Sequence, residues 1–208
     1  MSTPEPPATP EPPAAPGPAP DRRTLIADTA IALVAASGLR GLTHRAVDGA
    51  AGLPAGSTSY YFRTRTALIA ACYRRLAELD VADGPPALPA DRDEAARALG
   101  ALLHHWLTAG RERQLARFEL SLEAARNPEL EPDLREAGLA VRARGVAVLA
   151  ALGAREPQEA AELLAAWADG LLYDRLAGAL AHSRPAPDPA ELTATVRRML
   201  DAVLDTAV

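Results

Sequence analysis

Between Gly38 and Ile69 the chain reads GLRGLTHRAVDGAAGLPAGSTSYYFRTRTALI, and no other stretch restricts the fold so tightly. Thr43 is a residue type that caps helix N-termini, and Ala46, Val47, Ala50 and Ala51 follow it at helical spacing. Gly52 then closes this short helix and permits a sharp turn. The pattern predicts a third helix from Pro54 to about Tyr61, because proline is tolerated in a first helical turn. A fourth begins near Thr64, with Leu68, Ile69, Cys72 and Leu76 along one side. Upstream, Leu25, Ile26, Thr29, Ala30, Leu33 and Val34 mark a first helix that ends at Gly38. Two short helices about a tight turn are how a helix-turn-helix presents its second helix to a major groove.

The rest of the chain divides by its breakers. Residues 1–20 hold nine prolines, which cannot donate to helix or sheet ladders, so a disordered Pro-rich tail is expected there. Residues 21–82 read as a helix-turn-helix domain that includes the fourth helix as a link. The run DGPPALPA over 83–90 reads as a linker, and 91–208 as a second helical domain. Within the latter, Leu99, Leu102, Leu103, Trp106 and Leu107 form one apolar stripe. Leu115, Phe118, Leu122 and Ala125 form another, broken at Asn127-Pro128. Further helices are expected over about 129–152, 157–181 and 189–206. Ala, Leu, Arg and Glu dominate, and no stretch alternates β-branched and aromatic residues, so the expected fold class is all-α.

The formal charge of −5 argues against a nucleic-acid partner until its distribution is examined. Residues 21–75 carry eight Arg against three Asp, a charge of +5, whereas 1–20 carry −2 and 76–208 carry −8. A basic module therefore precedes an acidic one, and this asymmetry opposes a protein-interaction module that uses the same geometry without DNA. Catalytic signatures are absent: there is no Gly-x-Ser-x-Gly elbow and no phosphate-binding glycine loop, so neither an enzyme nor a bound cofactor is expected. His104 and His105 are adjacent and point to different helix faces, with no metal-ligand spacing around them, so no metal is expected either. A single cysteine, no signal-peptide pattern and no continuous run of about 18 apolar residues lead us to expect a cytoplasmic protein without a membrane partner.

The run from Gly38 to Leu68 resembles the tetracycline-repressor (TetR) family of bacterial transcription regulators. The matching features are Thr43 and Arg45 opening helix two, the Ala51-Gly52-Leu53 turn, Gly56-Ser57, Tyr60-Tyr61-Phe62, and Arg65 where the family usually has Lys. Two departures stand out: Ser59 where a Tyr is common, and Thr58 where a large aliphatic usually packs. The resemblance implies a homodimer that sets two recognition helices in successive major grooves of operator DNA and acts as a repressor, with activation as the alternative. It also implies dimerisation through the last two long helices, 157–181 and 189–206, and a small organic ligand bound among the earlier ones.

Candidate DNA contacts follow residue by residue. Arg45 suits a phosphate or a guanine edge, and Arg65 a phosphate. Thr43, Ser57 and Ser59 can donate to phosphates, and the helix N-termini near Thr43 and Pro54 favour an anion. His44 is a further candidate, and Tyr60 and Tyr61 offer hydroxyls and ring edges. Residues 53–62 contain no Arg, Lys, Asn or Gln, so specificity is expected to lean on Arg45, methyl contacts and DNA shape. For the ligand, His105, Trp106, Phe118, Trp167 and Tyr173 combine aromatic surface with polar groups.

Overall fold

The computed structural model describes residues 21–85 and 87–205; the tail expected over 1–20 lies outside them. The order is α1 (Arg22–Gly41), α2 (His44–Ala50), α3 (Ser57–Tyr61), α4 (Arg65–Asp83), α5 (Arg92–Leu107), α6 (Arg111–Arg126), α7 (Glu131–Ala151), α8 (Pro157–Leu176) and α9 (Pro189–Leu204). Short 3₁₀ turns lie at Pro128–Leu130 and Ala181–Ser183, and no strand occurs among the described residues. The fold is all-α.

Side-chain caps set several helix starts. Thr43 accepts from the Ala46 amide at 3.1 Å and Thr64 from the Ala67 amide at 3.0 Å. Asp91 caps α5 through the Glu94 amide at 2.7 Å, while Glu94 reaches back to the Ala90 amide at 2.6 Å. Gly38, at φ 64° and ψ −177°, is non-helical and ends the regular part of α1 where the sequence places it, and a short helical turn follows to Gly41. Two other boundaries differ from the sequence reading. Helix α3 starts at Ser57, because Pro54 to Gly56 form a turn that ends with Gly56 at φ 91°. Helix α8 stops at Leu176, where the Ala177 and Gly178 amides both bond to the Tyr173 carbonyl and close its last turn.

Two apolar cores result. Ile26, Ala30 and Val34 of α1 join Leu42, Val47, Phe62 and the α4 residues Leu68, Ile69, Cys72 and Leu76; Ala116, Leu120 and Ala124 of α6 complete this core from beyond the 84–91 connection. The second core gathers Ala96, Leu103 and Leu107 of α5, Leu164 and Leu172 of α8, and Leu192, Val196 and Leu200 of α9. By length and mean hydropathy alone α1 could cross a membrane. Its apolar face, however, is spent on the first core, and its Asp28 holds Arg75 of α4 at 2.7 Å. Cys72 is fully buried there, and that burial pushes its thiol up to about 12.

Candidate nucleic-acid interface and effector cavity

The turn between α2 and α3 is built around Asp48. Its main-chain carbonyl accepts from the Leu53 amide at 2.8 Å as the chain passes Gly52 at φ 63°. Its side chain, 4% exposed, accepts from the Gly56 amide (2.8 Å), the Thr58 amide (2.7 Å) and the Thr58 hydroxyl (2.6 Å). Burial works to raise the carboxyl's pKa. The bonds from Thr58 and Gly56 and the nearby His44 outweigh it and hold the group below its usual range. Four residues before Asp48, on the same face of α2, His44 places Nε2 2.7 Å from the Phe62 carbonyl, so that nitrogen carries the donated hydrogen.

The candidate DNA residues therefore fall into two groups. Thr43, Arg45, Ser59 and Tyr60 are exposed, and Arg45 has no hydrogen-bond or ion-pair partner among the described residues. Tyr60 is 80% exposed and meets Tyr61 edge to face at 5.2 Å, while the Arg23 guanidinium lies 5.6 Å from the Tyr61 ring. Thr43 also caps α2, and the remaining candidates are engaged elsewhere in the fold. His44 is half-buried against Phe62, and Ser57 donates to the Pro54 carbonyl at 2.6 Å. Arg65, although exposed, donates to the Leu42 and Leu39 carbonyls at 2.5 and 2.8 Å, fixing the start of α4 to the end of α1. The helix N-terminus expected at Pro54 does not exist, and the amides at the true start of α3 already hold a carboxylate. Sequence reasoning counted Asp48 only as a charge. Its signal was an acid beside Val47 on the inner side of α2, together with the hydroxyl of Thr58 at a position that usually packs an aliphatic.

A cavity of about 850 Å³ lies between α4, α5, α6, α7 and α8, lined by such apolar residues as Leu76, Leu102, Leu134, Val148 and Leu164. Tyr73 closes part of it and donates to the Leu120 carbonyl at 2.8 Å. Asp80 also lines it. Burial pushes this carboxyl up to about 6, against the pull of Arg113 and Arg117, with Asp83 adding repulsion and Gln114 a weak hydrogen bond. Its nearest donors, Gln114 Nε2 and Arg113 Nη2, both stand 3.4 Å away. Arg113 is drawn instead to Asp83, which also accepts from Trp106 Nε1 at 2.9 Å, and Arg117 holds Asp169 at 2.8 Å. Burial works to raise Asp83 too, but its bonds from Arg113 and Trp106 bring it below the usual range.

Of the five candidate ligand residues, Trp106 lines the cavity. His105 lies outside its lining, with Nε2 3.6 Å from Asp83. Phe118 and Tyr173 pair edge to face at 5.6 Å, also outside it, with Tyr173 50% exposed; Trp167 is half-buried elsewhere on α8. Asp80, Arg117 and Asp169 were missed. The first was detectable, since Asp80 continues the buried stripe of Ile69, Tyr73 and Leu76 at helical spacing. Among the described residues no cluster of three His, Cys, Asp or Glu side chains is placed to hold a metal ion.

The family model described as "Tetracyclin repressor-like, C-terminal domain" matches residues 90–206. Among solved structures, a transcriptional regulator from Rhodococcus sp. Rha1 is 26% identical, with 89% of this chain and 97% of that one covered at a TM-score of 0.69. The multidrug binding protein EbrR, complexed with ethidium, is 31% identical, with 86% and 98% covered at a TM-score of 0.65. A TetR-family member from Streptomyces coelicolor A3 is 28% identical, with 86% and 98% covered at a TM-score of 0.64. No curated protein matches the sequence.

Proposed function

The chain belongs to the tetracycline-repressor family, and from that premise we propose that it is a sequence-specific DNA-binding transcription regulator, a cytoplasmic repressor released from its operator by a small organic ligand. The observation that carries this reading is α4. At its start Arg65 grips the end of α1, beside the exposed Thr43, Arg45, Ser59 and Tyr60; at its end Asp80 faces the cavity. A ligand that prefers one placement of α4 would shift the DNA-facing elements with it, which is the requirement for coupling between two sites. The protein works as a homodimer through α8 and α9, with duplex operator DNA as its partner, and we assign it no catalytic activity. Activation of transcription remains the second outcome of the same binding.

The cavity's chemistry narrows the ligand. Its lining is mainly apolar, and Asp80 is a buried carboxylate without a close donor, so an aromatic organic cation fits both features. The ethidium complex of EbrR agrees with this choice.

The test is binding to the chain's own upstream intergenic DNA, titrated in salt, for the wild type and Arg45→Ala. Specific binding is expected, with a salt slope that falls by about one in the variant as one phosphate contact is lost. Ethidium should release the complex. Equal, weak binding to every DNA offered, persisting through a random-sequence selection, would rule the reading out.

A further inference from the structure

Helix α3 spans five residues, Ser57 to Tyr61, too few to be stable on their own hydrogen bonds. Its N-cap is Gly56, which has no side chain to cap it. Something outside α3 must therefore decide where this helix points, and the contacts identify it. Asp48 takes the Gly56 and Thr58 amides and the Thr58 hydroxyl at one end of α3, while His44 reaches the Phe62 carbonyl at the other. The two side chains are one turn apart on the same face of α2. Helix α2 thus grips α3 at both ends through polar groups, beside the apolar packing of Phe62 and Tyr61 on the first core.

Resting on the DNA-binding reading above, we propose that Asp48 is the positioning residue that aims α3 at its operator, with Thr58 as its partner and His44 as the second point of the grip. Hydrogen bonds fix direction where apolar contact tolerates sliding, and a charge-assisted bond holds its donors closely. Thr58 is fully buried, so its hydroxyl serves Asp48 rather than DNA. The start of α3 is neutralised from within, and phosphate contacts must come from exposed groups such as Arg45 and Thr43.

The experiment compares specific with non-specific DNA affinity of the full-length protein for the wild type, Asp48→Ala, Thr58→Leu and the double variant. An operator sequence obtained by selection on the wild type serves as the specific probe and a scrambled duplex as the non-specific one. Asp48→Ala should cut specific affinity about tenfold and leave scrambled-duplex affinity unchanged, because the exposed arginines remain in place. A merely unfolded fraction would lower both affinities together. Thr58→Leu should also lower specific affinity, since it sets an aliphatic against a buried carboxylate that has lost one of its three donors. The double variant should lose no more specific affinity than Asp48→Ala alone, because both substitutions break the same contact. Two independent, additive losses, or an unchanged ratio in Asp48→Ala, would overturn the proposal while leaving the regulator reading intact. Failure of the wild type to select any DNA would overturn the regulator reading itself, and this inference with it.

Discussion

At the scale of single residues, charge placement matters more than charge count. Asp48 and Asp80 are both buried acids, yet they titrate in opposite directions, because three donors converge on the first and only distant ones reach the second. Asp80, pushed up to about 6 from an ordinary 3.8, is better tolerated neutral than charged in the folded state. The folded chain therefore binds more protons than the unfolded chain between those values, and this group's contribution to stability falls as pH rises through that window. At 1.36 kcal/mol per unit the penalty above pH 6 is on the order of 3 kcal/mol. Asp80→Asn should accordingly raise the thermal midpoint relative to wild type at pH 7.5, with the difference vanishing near pH 4, and should weaken ethidium binding about tenfold or more by removing the counter-charge. Parallel melting curves across that pH range decide it. A variant no more stable than wild type at pH 7.5 would show that Asp80 is well paired after all.

At the scale of elements, close approach depends on what is missing from a helix surface. Helices α5 and α9 meet at Gly100, where an added Cβ would stand 2.7 Å from the Thr193 hydroxyl and 2.8 Å from its Cα. Backbone cannot yield as a side-chain tip can, so Gly100→Ala should separate the helices and cost about 1–3 kcal/mol, as overpacking usually does. Chemical denaturation would read this as a lower midpoint with an unchanged slope. No loss of stability would mean that α9 shifts freely along α5, in spite of the ion pairs from Arg92 to Asp201 and Asp205. The same helices also show how cap chemistry divides labour: α2, α4, α5 and α9 carry side-chain caps of their own, whereas α3 borrows one from α2.

At the scale of the whole molecule, the proposed dimer has to cover what one chain leaves open. Leu163 and Tyr173 on α8 are 43% and 50% exposed, and Leu180 just beyond it is 60% exposed. Sedimentation should give about twice the 21.8 kDa of one chain. Leu163→Arg should shift it to the monomer and, by separating the two α3 helices, remove specific DNA binding. A variant that stays dimeric would place the interface elsewhere. How far such readings were open from the chain alone depends on the range over which residues act. The Thr43 cap, the Gly52 turn and the asymmetric charge are local or additive, so the sequence by itself determined the all-α class, the two short helices about a tight turn, and the family. The cavity lining, the recruitment of α6 into the N-terminal core, and the roles of Asp48 and Asp80 were decided only by tertiary structure. Each depends on which helix faces meet, and Phe118 and Trp106 look alike in a periodic pattern until packing pairs one with Tyr173 and sets the other in the cavity wall. Polar groups are the least legible of all, because a carboxylate's meaning lies in the donors that folding brings to it from ten or thirty-four residues away.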